Sequence, residues 1–259
     1  KNLPVECLSD GALQKVFEAL QNVTTYPDQH TQVMTSGMLR VGTTGDYAPF
    51  SYSRDDMSFT GIDIDLALNL AESLNVELIF IKTSWPTLMN DLAAGLFDIA
   101  MSGVSIIPAR QQHAYFSAPY HLGGKSPITL CSRVAEFSSI EEIDQPSVSA
   151  IVNPGGTNER FIDAKLRRAK KILHQDNRTI FNEIINGNAD LMITDSIEVR
   201  LQTNLHPELC ESMPGKTLTY QEKGYMMPKD PALRLAVNQW LQEANSQKIL
   251  KRTFEQHLN

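Results

Sequence analysis

The chain has 259 residues, 42% of them hydrophobic, enough for one large domain or two lobes with their own cores, and too apolar to be disordered. Its net charge of −7 and its single basic cluster, Arg167-Arg168-Ala169-Lys170-Lys171, exclude a nucleic-acid partner, which needs a broad positive face. No apolar run approaches the roughly 20 residues of a membrane span, and three cysteines and six histidines without ligand spacing argue against a metal site.

In chain order, residues 1–36 form an appendage in which Asp10 is placed to cap a helix through Leu13, Val16, Phe17 and Leu20. The chain begins at Lys1 without an initiator Met, so a removed export signal is expected. From Met38 onward strands and helices alternate: a strand at 39–42, a helix at 66–74, a strand at 77–81, a helix at 85–94 and a strand at 99–101. A second alternation starts near Ser126, with strands at 128–131, 149–152, 171–174 and 191–193 and helices at 140–143, 158–169 and 179–187. The basic cluster is then one solvated helix face. A Pro/Gly/Lys-rich connection at 214–223 precedes a last strand at 224–227 and two helical segments within 232–257. The expected architecture is α/β with two lobes, each a mixed, mostly parallel sheet flanked by helices. Residues 37–127 plus 224–259 make lobe 1, residues 128–223 make lobe 2, and a cleft lies between them.

Ligands of such sheets bind at the carboxyl ends of the strands, which points to five loops: 43–50, 83–85, 102–110, 153–158 and 194–198. The first carries Tyr47, Phe50 and Tyr52, rings able to wall a cleft, and Trp85 is placed to do the same. In the third, Ser102 and Ser105 precede Arg110, a planar cation suited to gripping a carboxylate. In the fourth, Gly155 and Gly156 allow close backbone approach, while Thr157 and Asn158 offer polar groups at a helix start. The fifth holds two acids, Asp195 and Glu198, three residues apart on one helical face. One acid can receive a ligand ammonium. A second, with no basic residue beside it in sequence, is costly unless a proton is retained. Cys131 and Cys210 are candidates for a disulfide that leaves Cys7 odd, with three reduced thiols as the alternative.

The order of Gly-Thr-Thr-Gly-Asp-Tyr-x-Pro-Phe (42–50), Gly-x-Asp-x-Asp (61–65), Met-Ser-Gly-x-Ser-Ile…Arg (101–110) and Thr-Asp-Ser (194–196) resembles the periplasmic amino-acid-binding proteins of ABC transporters. Further segments are similar to the bacterial cyclohexadienyl dehydratases: Thr-Ser-Trp-Pro-x-Leu-Met (83–89), Gly-Lys-Ser-Pro-Ile-Thr-Leu-Cys (124–131), Ile-Val-Asn-Pro-Gly-Gly-Thr-Asn-Glu (151–159), Ala-Asp-Leu-Met-Ile-Thr-Asp-Ser-Ile-Glu (189–198) and Leu-His-Pro-Glu-Leu-Cys (205–210). The resemblance implies a type II periplasmic-binding-protein fold and a periplasmic lyase that needs no cofactor. Its substrate is a small molecule, prephenate or arogenate. Glu198 is implied as general acid, its pKa raised by burial against Trp85 and by the field of Asp195. Tyr47, Phe50, Trp85, Ser102, Ser105, Arg110, Lys125, Gly156, Thr157, Asn158 and Asp195 are implied to bind substrate, and an exported family favours the Cys131 to Cys210 disulfide. The competing expectation is a transporter's solute-binding protein for polar amino acids, which leaves Glu198 unexplained. The N-terminal extension is compatible with packing on a second copy in a homo-oligomer.

Overall fold

In the computed structural model, residues 27–55 and 58–258 are described. The helix expected after Asp10 and the state of Cys7 lie outside them. The end of the presumed appendage does not stand apart. Helix Gln29–Ser36 is capped by Asp28, buries Val33 in the first core, and bonds Asp98 through Gln29 and Asp230 through the backbone N–H of His30.

Two five-stranded sheets share one order. The first runs Glu77–Lys82, Met38–Thr43, Ile99–Ala100, Met226–Met227, Tyr115–Phe116, and the second Lys170–Leu173, Ser149–Val152, Leu191–Asp195, Lys125–Leu130, Leu209–Glu211. In each, the first three strands are parallel, the fourth is antiparallel to them, and the fifth, antiparallel to the fourth, runs with the first three. Helix Ile62–Leu74 covers the first sheet because Ile62, Leu66, Ala67, Leu70 and Ala71 recur at helical spacing and are all buried. It starts four residues before the expected 66, with Asp63 and Asp65 in the first turn, where the helix dipole favours acids.

Several boundaries differ from the sequence expectation for local reasons. Helix Leu88–Ala93 begins late because Trp85 precedes Pro86, and a residue before proline avoids the helical region. Helix Thr157–Lys165 ends early: Leu166 is extended, and Asp144 Oδ1 accepts the backbone N–H groups of Arg167, Arg168 and Ala169 at 2.8, 2.6 and 2.9 Å. The basic cluster is therefore not a helix face. It forms this turn and the start of strand Lys170–Leu173, where edge lysines deter unwanted strand pairing. Strand Lys125–Leu130 lies wholly in the second sheet, so the boundary expected at 127/128 falls inside it.

The chain crosses between the sheets twice, and the crossings pair: His121–Gly123 is antiparallel to Gln221–Lys223. This ribbon is the hinge; Lys223 ends its second strand, and Lys125 lies two residues after its first. Cys131 and Cys210 form a disulfide across the outer strands of the second lobe, spanning 79 residues of sequence. A cross-link over a loop that long restricts the unfolded chain strongly, so replacing both cysteines by serine is expected to lower stability by about 2–4 kcal/mol. The denaturant midpoint measures it, and an unchanged midpoint would show that the bridge contributes nothing.

Candidate active site

The carboxyl ends of the parallel strands face each other across the cleft, where the lobes touch. Asn177 Nδ2 donates to the backbone oxygen of Asp46 at 2.8 Å, and the Tyr47 hydroxyl donates to Asp195. Gly155, at φ +79°, comes so close to Pro86 that a Cβ there would lie 2.7 Å from the proline nitrogen. A small cavity remains between the lobes. Tyr47, Trp85, Gly103 and Ser105 line it from the first lobe, and Asn153, Gly156, Thr157, Asn158 and Asn177 from the second. Asp195 and Lys223 complete the wall.

Asp195 is the electrostatic centre. It ends strand Leu191–Asp195 directly opposite Lys125 in the antiparallel register, which is why a residue 70 positions away is its partner. Lys125 Nζ donates to Asp195 Oδ1 at 2.7 Å and Lys223 Nζ to Oδ2 at 2.5 Å. Burial alone would raise the carboxyl's pKa, but the two ammoniums hold it well below the usual carboxylate range. Its two lysines come from far along the chain, Lys125 through the strand register and Lys223 from the ribbon between the lobes. Asp195 occupies the N-cap position of helix Ser196–Leu205, yet its side chain makes no capping bond because the lysines claim it. Lys125 also donates to Thr157 Oγ1 at 3.0 Å and to Asn158, and Lys223 to Ser105 Oγ at 2.9 Å.

Glu198 stands one turn into that helix and is 1% exposed. Thr194 Oγ1 donates to its Oε2 and itself accepts from Asn158 Nδ2 at 3.0 Å. No hydrogen bond engages Oε1 among the described residues. Burial pushes the carboxyl up to about 8; Asp195 and Asp46 add to the rise, while the Thr194 hydrogen bond and Lys125 oppose it. With its pKa raised to about 8, Glu198 is mostly protonated at neutral pH, and Oε1 is the oxygen left without a protein partner among the described residues. Glu198 does not line the cavity; Thr194, which bonds it, links it to Asn158 on the wall. Trp85, expected to desolvate it, instead donates its indole N–H to Asp46 Oδ1 at 3.0 Å and packs edge-on against Tyr47.

Of the residues read from the sequence, Tyr47, Trp85, Ser105, Gly156, Thr157, Asn158 and Asp195 meet at this cavity. Lys125 reaches the same cluster from behind. Five do not line it: Phe50, Ser102, Lys125, Arg110 and Glu198. Phe50 is wholly buried, packed on Tyr47, Tyr120, His121 and Phe254, so its ring is core. Ser102, also wholly buried, accepts from the Thr44 backbone N–H at 3.1 Å and bonds the Thr44 hydroxyl, closing a loop instead of facing a ligand. Arg110 is 4% exposed, donates to the Ser105 carbonyl at 3.0 Å, lies 5.9 Å from the Trp85 ring centre, and has no ion-pair partner among the described residues.

Lys223, Asn153 and Asn177 were not anticipated. Asn177 follows a parallel strand as the five chosen loops follow theirs, so the same rule applied to the loop after residue 173 would have found it. Asn153 lay within a chosen loop and was passed over for its glycines. Lys223 has no local signal, since it comes from a segment that reads as a polar linker. Both asparagines are at least 96% buried, and each has a side-chain oxygen without a hydrogen-bond partner. Such an orphan at a cavity wall calls for a donor from a ligand or water.

The fold and this cleft define a class: residues 39–259 match the family model of bacterial extracellular solute-binding proteins, family 3, and the chain belongs to that family. Within it, the chain groups with the cyclohexadienyl dehydratases. It is 52% identical over 227 residues to the cyclohexadienyl dehydratase of Pseudomonas aeruginosa, covering 88% of this chain and 85% of that one. It is 24% identical over 249 residues to the L-cystine-binding protein TcyJ of Escherichia coli, covering 95% and 92% of the two chains. Among solved structures, an ancestral amino acid-binding protein described as a precursor of cyclohexadienyl dehydratase superposes with a TM-score of 0.82 at 33% identity, over 88% of this chain and 98% of that one. An ancestral cyclohexadienyl dehydratase is 46% identical over 90% and 97% of the chains, with a TM-score of 0.57.

Proposed function

We propose that this protein is a cyclohexadienyl dehydratase, a carbon–oxygen lyase that converts prephenate to phenylpyruvate, or arogenate to phenylalanine, with Glu198 as general acid. The observation that carries the reading is a carboxyl 1% exposed, tied through Thr194 to Asn158 on the cleft wall, whose pKa burial raises to about 8. A transport receptor gains nothing from burying a second acid behind the first. A lyase that must protonate a leaving hydroxyl needs one.

The chemistry balances with a single proton. The bond from the ring to its carboxylate breaks and releases carbon dioxide. The electron pair moves through the cyclohexadiene and expels the hydroxyl from the opposite carbon, and the proton from Glu198 Oε1 turns that hydroxide into water. The ring is left aromatic, and the glutamate recovers its proton from solvent. No base is required, because the departing carbon dioxide leaves the electrons behind.

The rest of the rate comes from position and exclusion of water. Arg110, a buried cation lacking a carboxylate partner, is the group to which a substrate carboxylate is assigned, and Tyr47 and Trp85 flank the ring. Closure brings Asn177 onto Asp46 and Gly155 onto Pro86, which shuts out solvent. Gly155→Ala is expected to hold the lobes apart, since it strains a left-handed backbone and collides with Pro86. Its kcat/KM should fall by about 10²-fold, the scale of an ångström of misplacement. Steady-state kinetics decides, and an unchanged kcat/KM would rule out this contact as part of closure.

Membership of an extracellular family and a disulfide between Cys131 and Cys210 support a periplasmic location after removal of an export signal. No helix among the described residues is long and apolar enough to cross a membrane. The test of the activity is direct. Prephenate incubated with the protein at neutral pH should yield phenylpyruvate, seen by its ultraviolet absorbance. Prephenate left intact, with a melting temperature raised by polar amino acids, would favour the transport reading.

A further inference from the structure

We propose that Lys223, by holding Asp195, makes the cleft select the keto dicarboxylate over the corresponding amino acid: prephenate over arogenate. The proposal rests on the dehydratase reading and adds the choice between its two substrates.

An aspartate on a cavity wall is the usual receptor for a ligand ammonium, and Asp195 is on this wall. Here it is already occupied. Oδ1 accepts from Lys125, and Oδ2 accepts from both Lys223 and the Tyr47 hydroxyl. A carboxylate offers about four acceptor positions, so three are filled, two of them by full positive charges. A ligand ammonium arriving here would meet two ammoniums before it met an unshared carboxylate lone pair. The unpartnered acceptors left on the wall, the side-chain oxygens of Asn153 and Asn177, are neutral. They suit a hydroxyl or a water better than a charge.

The charge balance points the same way. Lys125 and Lys223 both contact Asp195, so two cations share one carboxylate at this point of the wall. An ammonium brought to this cluster meets two cations and an anion that they already share. Prephenate carries two carboxylates and no cation. Arogenate carries the same two and an ammonium, which at Asp195 would lie against two like charges. Lys223 is the residue that decides this, being 4% exposed on its side chain, on the cavity wall and in contact with Asp195 at 2.5 Å. Its other bond, to Ser105 Oγ, anchors it to the first lobe.

The test separates binding from turnover by working in the Glu198→Gln protein, with affinities measured calorimetrically at neutral pH. Prephenate should bind at least ~10-fold more tightly than arogenate, the scale of one like-charge contact. Adding Lys223→Gln frees Oδ2 and removes one cation, so the ratio should narrow by ~10-fold or invert, with prephenate weakened and arogenate strengthened. Lys223→Arg should keep the ratio. Equal affinities, tighter arogenate, or a ratio that Lys223→Gln leaves unchanged while both constants worsen together would overturn the proposal; the last would mark Lys223 as a structural support only. Should Lys223→Gln fail to fold, the ratio in the Glu198→Gln protein and its persistence in Lys223→Arg decide the matter. Failure of the dehydratase reading shows elsewhere, as wild-type protein that leaves both substrates unconverted.

Discussion

Glu198→Gln should cost about 10²–10⁴-fold in turnover of prephenate, the usual worth of general acid catalysis, without loss of folded structure. The amide can still accept from Thr194, as Oε2 does now, but has no acidic proton to give. In the wild type, kcat/KM should fall as pH rises through about 8, where the acid loses its proton in the free enzyme, and the variant should lack that limb.

The same residue predicts an opposite effect on stability. A carboxyl whose folded pKa is raised favours the folded state most at low pH. Its contribution declines as pH climbs from about 4.5, where the unfolded chain begins to ionise, to about 8. Each unit in that window costs about 1.4 kcal/mol, so at pH 7 the buried acid destabilises the protein by roughly 3 kcal/mol. Glu198→Gln should therefore be the more stable protein at pH 7, with a denaturant midpoint that pulls further ahead of the wild type between pH 5 and 8. Such a trade of stability for function is expected of a working acid. A variant that kept full turnover, or was less stable than the wild type at every pH, would remove Glu198 from its role.

Asp195→Asn is expected to be the most damaging single substitution to the fold. Both lysines lose their carboxylate while remaining buried, Lys125 with its side chain fully enclosed and Lys223 at 4% exposure. Leaving buried charges without a partner costs about 3–5 kcal/mol. For a chain of this size that is a fall of roughly 10 °C in Tm. The loss should ease at alkaline pH, because burial already lowers the pKa of Lys223 and, without Asp195, it sheds its proton sooner. Thermal unfolding between pH 6 and 10 measures this. A drop below about 2 °C would mean that the cluster is not the tie between hinge and second lobe that its geometry describes.

The alternation of strands and helices, the two-lobed plan, the loops after strands and the pair Asp195 and Glu198 were legible in sequence because each depends on local periodicity or on order along the chain. So was the placement of Tyr47, Trp85, Ser105 and Thr157 at one cleft, given the rule that ligands sit at the ends of parallel strands. Phe50 and Ser102 show where that reasoning overreaches. A residue in the right loop can point either way, and the core took the first while Thr44 took the second.

What tertiary structure alone decided was charge. The lysines that hold Asp195 lie 70 residues earlier and 28 later, delivered by an antiparallel register and by a hinge strand that has no marks of a strand in sequence. Glu198 likewise keeps its proton because of burial, which no neighbouring residue encodes. Identity and spacing of side chains are properties of a linear chain. Desolvation and ion pairing depend on which distant segments close around them, and so belong to the fold.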